Sequence, residues 1–286
     1  MAAETYGFQE PMENEAMVRT LDAQARAIWP QEKSVIARVF PRPGLDVLDV
    51  GCGTGEIAVR VAKEFATRSV TGIDLSASHV RRAKARAADM PDVAFEVGNA
   101  LRMSFDESRF DTAICRHMLH AVPDPAGVIS EMIRVVKPGG WLYTLAEDYG
   151  MLFFHPSRHD LDEFFHVYGV RAGRKAGSNI LQGRTMPPLL ASLGCAGIGL
   201  EYLCIDTLRV DREVLAEIFV HWRDGFEEWM STNAVLSREE VRDRFNDKAE
   251  CARGPASYAG WLIPCVSARV TEESKRTAAS PAGQRG

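Results

Sequence analysis

The residues with the clearest chemical spacing are three glycines at every second position of one short stretch: Gly51, Gly53 and Gly55. An apolar run precedes these glycines and an apolar helical periodicity follows them, which predicts a buried strand, a tight turn and a helix. Such a turn offers backbone N–H groups and a helix N-terminus to a ligand. A dinucleotide fingerprint requires one more glycine, at the position of Glu56. Asp49 adds a negative charge at the strand end, so the pattern favours a ligand with an ammonium group over a pyrophosphate.

A second carboxylate, that of Asp74, stands at a position typical of ribose binding. The sequence predicts a second strand over residues 69–74, which places Asp74 at the strand end, about 20 residues after the last glycine. A carboxylate there can accept hydrogen bonds from both hydroxyls of a ribose, because its two oxygens lie side by side. Leu75 follows and can pack under an adenine. These residues together predict a site for a ligand that contains adenosine.

The periodicity of the rest of the chain predicts the elements that position these residues. Apolar residues recur at helical spacing from Glu10 to Phe40, and the interruption at Trp29 and Pro30 predicts two short helices there. Strands that alternate with helices along the chain indicate the α/β class with a mostly parallel sheet. Further strands are predicted over 93–97, 110–115, 141–146, 202–208 and 261–270, and further helices over 57–65, 77–88, 125–136, 184–193 and 211–250.

Three segments, in this order, resemble the class I S-adenosylmethionine-dependent methyltransferases. The glycine stretch resembles the first motif of that family. The segment from Phe110 through His120 to Pro125 resembles its fourth strand and the loop after it, and RVVKPGG, residues 134–140, resembles the turn before its fifth strand. The resemblance covers residues 41–150. It implies a Rossmann-like, doubly wound sheet of seven mostly parallel strands with an antiparallel last strand, an N-terminal helical lid and helical insertions.

The resemblance also implies a cofactor, S-adenosylmethionine, with S-adenosylhomocysteine as the product. The adenine edge falls to Asn99 and Ala100, at a place where the family commonly has an aspartate; an amide oxygen can still accept a hydrogen bond from the exocyclic amine. Arg116 and His117 are expected to border the methionine end. The cofactor-binding residues implied in this way are Asp49, Gly51, Cys52, Gly53, Gly55, Asp74, Leu75, Asn99, Ala100, Arg116 and His117.

The segment after the fifth strand holds the candidates for the acceptor side, because ligands of α/β sheets bind beyond the carboxyl ends of the strands. Polar side chains there can hold an acceptor or remove its proton. The alternatives for each are a solvent-facing turn residue or core packing. The catalytic candidates are His155, Tyr149 and His120, and the substrate-binding candidates are Glu147, Asp148, Tyr149 and His155.

The predicted domain organisation places substrate specificity outside the family-like motifs of residues 41–150. Residues 1–40 are expected to form the lid, with simple helix packing as the alternative, and residues 41–270 the methyltransferase domain. Substrate-side insertions are expected at about 150–185 and 211–258. Residues 271–286 are polar with few apolar anchors, which predicts a disordered tail.

The bulk composition excludes several classes of protein. The 286 residues carry a net charge of −5 and no apolar run long enough for a membrane helix. The polar, acidic N-terminus is unlike a signal peptide. We therefore expect a cytoplasmic protein, monomer or homodimer, with neither a nucleic-acid nor a membrane partner. The six cysteines are scattered without a C-x-x-C pair, which favours buried apolar residues, and no metal is predicted.

The function predicted from these observations is methyl transfer to an O, N or C atom of a small organic acceptor, a cyclic or aromatic compound of secondary metabolism. The carboxylate set of magnesium-dependent catechol enzymes, a reactive cysteine set near the site and a base-flipping motif are all missing from the sequence. Three alternatives remain: a protein side-chain methyltransferase, another transfer such as that of the aminocarboxypropyl group, and a non-catalytic cofactor-binding subunit.

Overall fold

The sheet of the molecule explains why the motif residues meet at one edge. The structure, a computed structural model, describes residues 15–160, 162–234 and 236–279. Strands β1 to β5 pair in parallel, and β8 pairs antiparallel with β5, β6 and β7. The order is β3-β2-β1-β4-β5-β8-β6, with β7 also on β8. The strands are β1 Asp46–Val50, β2 Ser69–Asp74, β3 Val93–Val97, β4 Phe110–Arg116, β5 Val136–Leu145, β6 Leu152–His155, β7 Ala196–Asp206 and β8 Tyr258–Arg269.

Helices cover both faces of this sheet, and each face has its own apolar cluster. The first cluster packs α1, α2, α3, α7 and α8 against the sheet, and the second packs α4 and α6. The class predicted from the sequence, a doubly wound mostly parallel sheet, is confirmed. The helices are α1 Glu15–Ile36, α2 Glu56–Glu64, α3 Ala77–Arg86, α4 Pro125–Val135, α5 Val170–Lys175, α6 Met186–Ser192, α7 Arg212–Ala234, α8 Arg238–Arg253 and α9 Glu272–Ala279, with a π-helix at Asp162–Gly169.

The first helix corrects the prediction of two short helices. Helix α1 runs without a break through Pro30. A proline removes one backbone donor, which leaves the carbonyl four residues earlier without its helical partner. That carbonyl belongs to Arg26, and both Arg26 and Pro30 are exposed, so water can hydrate it. The break is therefore unnecessary, and the prediction was wrong. The predicted start of this helix, at Glu10, lies outside the described residues.

Strands β5 and β7 begin before their predicted bounds, β7 at Ala196 rather than at residue 202. Strand β5 begins at Val136 rather than Trp141. Val136 pairs with Phe110 of β4, and the regular pairing resumes at Trp141 after a shift in register. Strand β6 was not predicted, so the described residues contain eight strands where the sequence predicts seven. It pairs with the beginning of β8, whose later residues pair with β5. Strand β6 thus lies on the same side of β8 as β5 and continues in line with it.

The chain after β8 corrects the prediction of a disordered tail over residues 271–286. Glu272–Ala279 is helical, and its start is fixed by reciprocal bonds between Thr271 and Ser274. The Lys275 ammonium donates to the backbone carbonyl of Arg134 at 2.7 Å. These polar anchors hold the helix against α4, together with Ala278, which packs against the second apolar cluster. Residues 280–286 lie outside the described part of the chain.

None of the helices in the described part of the chain is both long enough and apolar enough to span a bilayer.

Candidate functional site

A cavity lies beyond the carboxyl ends of the parallel strands, where the sheet order reverses between β1 and β4. The glycine turn and the ends of β2, β4 and β5 form its floor. Helices α1 and α7 form its cover through Met17, Leu21, Gln24, Trp222 and Phe226. A smaller cavity adjoins it beneath α1 and contains Asp49, Cys52 and Thr54. This is the place where doubly wound sheets bind ligands.

Asp74 holds the glycine turn and faces the larger cavity. Its Oδ2 accepts from the N–H of Gly53 at 2.9 Å, and its Oδ1 accepts from the N–H of Ser76 at 2.9 Å. Ser76 in turn caps α3 by accepting from the N–H of His79, as the sequence predicts. Each carboxylate oxygen accepts two hydrogen bonds. The remaining capacity of Asp74 therefore matches a vicinal diol in the cavity.

The end of the cavity near β3 has the character of an adenine site. Leu75, Gly98, Asn99 and Ala100 line it. The Oδ1 of Asn99 accepts from the N–H of Leu101 at 2.8 Å, which leaves one acceptor position and the amide donors of Asn99. Backbone groups of this loop and apolar side chains can hold a flat heterocycle between them.

Gly55 lines neither cavity, so the structure does not support its predicted contact with the cofactor. Its φ is +78°. A Cβ at this position would lie 2.8 Å from the Phe95 ring and 2.9 Å from the Ala83 side chain. The glycine is needed because helix α2 begins here against α3 and β3.

Replacement of Gly55 by alanine is expected to lower the free energy of unfolding by about 2–5 kcal/mol, the cost of a left-handed alanine plus overpacking. Gly139 is a matched control, since it has the same φ of +78° and no atom within 4 Å of a Cβ. Gly139→Ala should cost only about 1–2 kcal/mol. Urea unfolding of the two variants measures the difference, and equal losses would show that packing does not require Gly55.

A buried charge network lies behind the glycine turn. The Arg116 guanidinium donates through Nε to Oε1 of Glu32 and through Nη2 to Oε2, both at 2.6 Å. Glu32 is fully buried on α1 and also accepts from the Tyr143 hydroxyl at 3.0 Å. Arg116 lines both cavities, as its predicted place at the cofactor requires. Glu32 was not predicted, although an acidic residue on the apolar face of a helix needs a partner.

Asp49 is the carboxylate without a full set of partners in this region. It is buried in the smaller cavity, and its Oδ2 has no hydrogen-bond partner among the described residues. Burial raises the pKa of Asp49 to about 7, against the attraction of Arg116, with repulsion from Asp74 and Glu32 adding to the rise. A cationic ligand group would supply the missing charge. Cys52 lies in the same cavity, and burial raises the pKa of its thiol.

Glu147 lies between two imidazoles at the other end of the larger cavity. Its Oε1 contacts Nδ1 of His117, and its Oε2 lies 2.6 Å from Nδ1 of His120. Burial by itself raises the pKa of this carboxyl, but attraction to His120 and His117 and their hydrogen bonds lower the pKa well below its ordinary value. Glu147 is therefore ionised and holds the Nδ1 side of each ring.

A metal ion does not fit this group of three side chains. Two histidines and one carboxylate form the donor set of many metal sites. Here the Nδ1 atoms contact the carboxylate oxygens directly and do not converge on a shared point. Across residues 15–160, 162–234 and 236–279, no group of three or more His, Cys, Asp or Glu side chains is arranged to hold a metal ion.

Aromatic rings form the wall next to Glu147. Tyr149 lines the cavity, and its ring centroid lies 5.3 Å from that of Trp222 and 5.8 Å from that of His120. Trp261 of β8 stacks behind it at 5.8 Å. Burial raises the pKa of the Tyr149 hydroxyl well above its ordinary value, so this residue stays neutral. In the sequence, Trp222 and Phe226 belong to an apolar stripe of a predicted helix. Such a stripe does not distinguish a residue of a cavity wall from a residue of the core.

Two predicted acceptor-side residues lie elsewhere. Asp148 is fully buried on the other side of the turn, where it accepts from Nε and Nη2 of Arg184 at 2.5 and 2.7 Å. His155 is exposed and pairs with Tyr258 at the end of β6. Successive side chains of a strand point to opposite faces, so the burial of Phe154 turns His155 outward. Neither residue lines either of these two cavities, and both predictions are corrected.

Comparison with known proteins places the match on the sheet half of the chain. Residues 47–140 match the family model of a methyltransferase domain. The ubiquinone biosynthesis O-methyltransferase of Paracidovorax citrulli is 43% identical over 119 residues, 41% of this chain and 49% of that protein. The demethylmenaquinone methyltransferase of Listeria welshimeri is 38% identical over 117 residues, 40% of this chain and 49% of that protein. The chain spans about half the length of the curated relatives it matches.

Solved structures extend the likeness in fold to nearly the whole chain. Phosphoethanolamine N-methyltransferase 2 of Haemonchus contortus, in complex with phosphomonomethylethanolamine and S-adenosylhomocysteine, is 20% identical with a TM-score of 0.60. That alignment covers 93% of this chain and 60% of the other. The [4+2]-cyclase SpnF is 21% identical with a TM-score of 0.57, over 93% of this chain and 97% of that one. Proteins with different reactions thus share the fold.

Proposed function

We propose that the chain carries a class I S-adenosylmethionine-dependent methyltransferase domain and that it transfers a methyl group from S-adenosylmethionine to a small cyclic or aromatic acceptor. One observation carries this proposal. A single cavity has Asp74 and Asn99 at one end, and Tyr149, Trp222 and Phe226 at the other. The first end suits adenosine and the second suits an apolar ring, so donor and acceptor would share one cavity.

The residues around the cavities fit the donor. Asp74 has the capacity for a ribose diol, and the unpartnered Oδ2 of Asp49 suits an ammonium group. When bound, S-adenosylmethionine supplies an electrophilic methyl group, so the protein needs no covalent step of its own. Its residues have to align the acceptor and exclude water. Helices α1 and α7 provide that exclusion as the cover of the cavity.

The cover of the cavity by α1 and α7 supports a small acceptor over a polypeptide side chain. Met17, Leu21, Trp222 and Phe226 lie above the glycine turn and the aromatic wall, where a protein substrate would need an open groove. The relatives named for ubiquinone and demethylmenaquinone are consistent with a ring as the acceptor. The location in the cytoplasm, a role in secondary metabolism, the monomer or homodimer state, the lack of a nucleic-acid partner and the domain bounds stay predictions from the sequence.

Asp74→Ala is expected to weaken S-adenosylmethionine binding by about 1–3 kcal/mol, because the ribose loses a charged acceptor and the glycine turn loses its anchor. Asp92→Ala is the control, since Asp92 is an exposed carboxylate before β3. Titration calorimetry with purified protein measures both variants. Wild-type protein that bound NADH and not S-adenosylmethionine would contradict the proposal. In a turnover assay with an acceptor, release of methylthioadenosine instead of S-adenosylhomocysteine would identify aminocarboxypropyl transfer.

A further inference from the structure

His117 lies where the two cavities meet. It lines the larger cavity with the aromatic wall and also the smaller cavity with Asp49. His120 lines only the larger one among the residues described. With the ammonium of the donor at Asp49 in the smaller cavity and its adenosine in the larger one, the sulfonium and its methyl group lie at the junction of the two cavities. Of the two imidazoles on Glu147, His117 therefore lies nearer to the place of reaction.

The second ring nitrogen of His117, Nε2, has no hydrogen-bond partner within residues 15–160, 162–234 and 236–279. Its Nδ1 contacts Glu147, and its side chain is 7% exposed. Its Nε2 is buried without a hydrogen-bond partner among the described residues. An ionised carboxylate accepts and cannot donate, so in the neutral form of the ring the proton lies on Nδ1 beside Glu147 and Nε2 is an acceptor. A buried acceptor without a donor is costly, and a hydroxyl group of a bound molecule would satisfy it.

The backbone at His117 is held in an uncommon conformation. Its φ is +54°, in the left-handed region that few residues other than glycine adopt. The N–H of His117 donates to the carbonyl of Leu145 at 2.9 Å, which ties this residue to the end of β5 next to Glu147. Such strain persists only where the surroundings enforce it, and it concentrates at functional sites.

We propose that His117 is the general base of the reaction and that the acceptor group is a hydroxyl on an apolar ring, of the phenol or enol type. This proposal rests on the proposed function and names its acceptor atom as oxygen. The hydroxyl proton moves to Nε2 of His117, and the oxygen keeps the electron pair of the O–H bond. That pair then bonds the donated methyl carbon, while the C–S electron pair returns to sulfur.

The charges around His117 favour this proton transfer. The new imidazolium lies against ionised Glu147, which is a positioning residue because it contacts the ring and not the acceptor. Tyr149 is neutral and closes the apolar side. Arg116 is neutralised by Glu32, so it does not oppose a positive charge on the ring. The titratable and charged groups that surround His117 are Glu147 and Tyr149 after β5, His120 on its own loop, Arg116 on β4, Asp49 on β1 and Glu32 on α1.

The test follows the ionisation of a bound phenol without turnover. The probe is 4-nitrophenol, whose phenolate absorbs visible light, added to protein saturated with S-adenosylhomocysteine. In the wild type, the phenolate band should appear at a pH at least one unit below that of the free probe, because His117 takes the proton inside the site. His117→Gln should abolish the shift, and Glu147→Gln should reduce it. His120→Gln should keep more than half of it.

The control is His159→Gln, which removes an imidazole that pairs with Asp243 and lines neither cavity, and it should leave the shift unchanged. Calorimetry with S-adenosylhomocysteine verifies that each variant is folded. A shift that survives His117→Gln, or one lost only in His120→Gln, would overturn the proposal. Protein that binds S-adenosylhomocysteine but neither binds nor ionises the phenol would refute the acceptor class alone. Failure to bind S-adenosylhomocysteine would refute the proposed function and the base together.

Discussion

Removal of the Glu32 carboxylate by Glu32→Ala is expected to lower the free energy of unfolding by about 3–5 kcal/mol, the range for breaking a buried ion pair. The Arg116 guanidinium donates two hydrogen bonds of 2.6 Å to Glu32, and it lies in the interior of the protein. Without Glu32 its charge would remain buried with no close counter-ion except Asp49. The Tyr143 hydroxyl would also lose its acceptor. Urea unfolding measures the loss.

A matched surface pair separates burial from charge. Glu201 pairs with Arg38, and their side chains are 44% and 59% exposed. Water and salt screen such a pair, so Glu201→Ala should change the free energy of unfolding by less than about 1 kcal/mol. Equal effects of Glu32→Ala and Glu201→Ala would mean that burial of the first pair has no energetic consequence.

Asp49→Asn is expected to raise the free energy of unfolding of the ligand-free protein at pH 8 by up to about 4 kcal/mol. The pKa of Asp49 rises from its ordinary 3.8 in the unfolded chain to about 7 in the folded one, and one pKa unit corresponds to about 1.4 kcal/mol. The folded state therefore binds the proton more tightly. Wild-type stability is highest below pH 3.8 with respect to this group and falls as pH rises to 7.

The pH dependence identifies the cause of this gain. The advantage of Asp49→Asn should shrink to about 1 kcal/mol by pH 4.5, which is less than one unit above the ordinary pKa of 3.8, and vanish below that pKa, where both states carry the proton. Asp46 on the same strand is the control: its hydrogen bond to Arg68 lowers its pKa, so Asp46→Asn should destabilise at neutral pH. Calorimetry should show weaker S-adenosylmethionine binding by Asp49→Asn. A stabilisation independent of pH would contradict this account of Asp49.

The donor end of the site could be predicted because its residues follow local rules. The glycine turn, Asp74 and Asn99 each stand at the end of a strand whose periodicity is clear, and parallel strands end at one edge. Strand β2 has the predicted bounds, Ser69–Asp74. The local pattern of strands and turns is therefore enough to predict that these residues lie together.

The acceptor end depends on contacts that no local pattern records. Trp222 reaches the cavity because α7 packs on α1, where Gly225 leaves room for Met17. The LFFH run of β6 is a strand because it pairs with residues 258–261. Asp148 and Glu147 are adjacent and both acidic, yet one pairs with Arg184 and the other with two imidazoles. Only the direction of each side chain at the turn separates their roles.

Strand β6 makes the acceptor wall dependent on the end of the chain. Gly51 and Cys52 donate to the carbonyl of Ile73, a short distance along the sequence, so the donor turn can form from neighbouring segments. Leu152 pairs with Trp261 instead, and pairs so far apart in sequence must overcome a larger loop-closure entropy. During folding, the half of the site that recognises adenosine can assemble early. The half that selects the acceptor waits for the last strand.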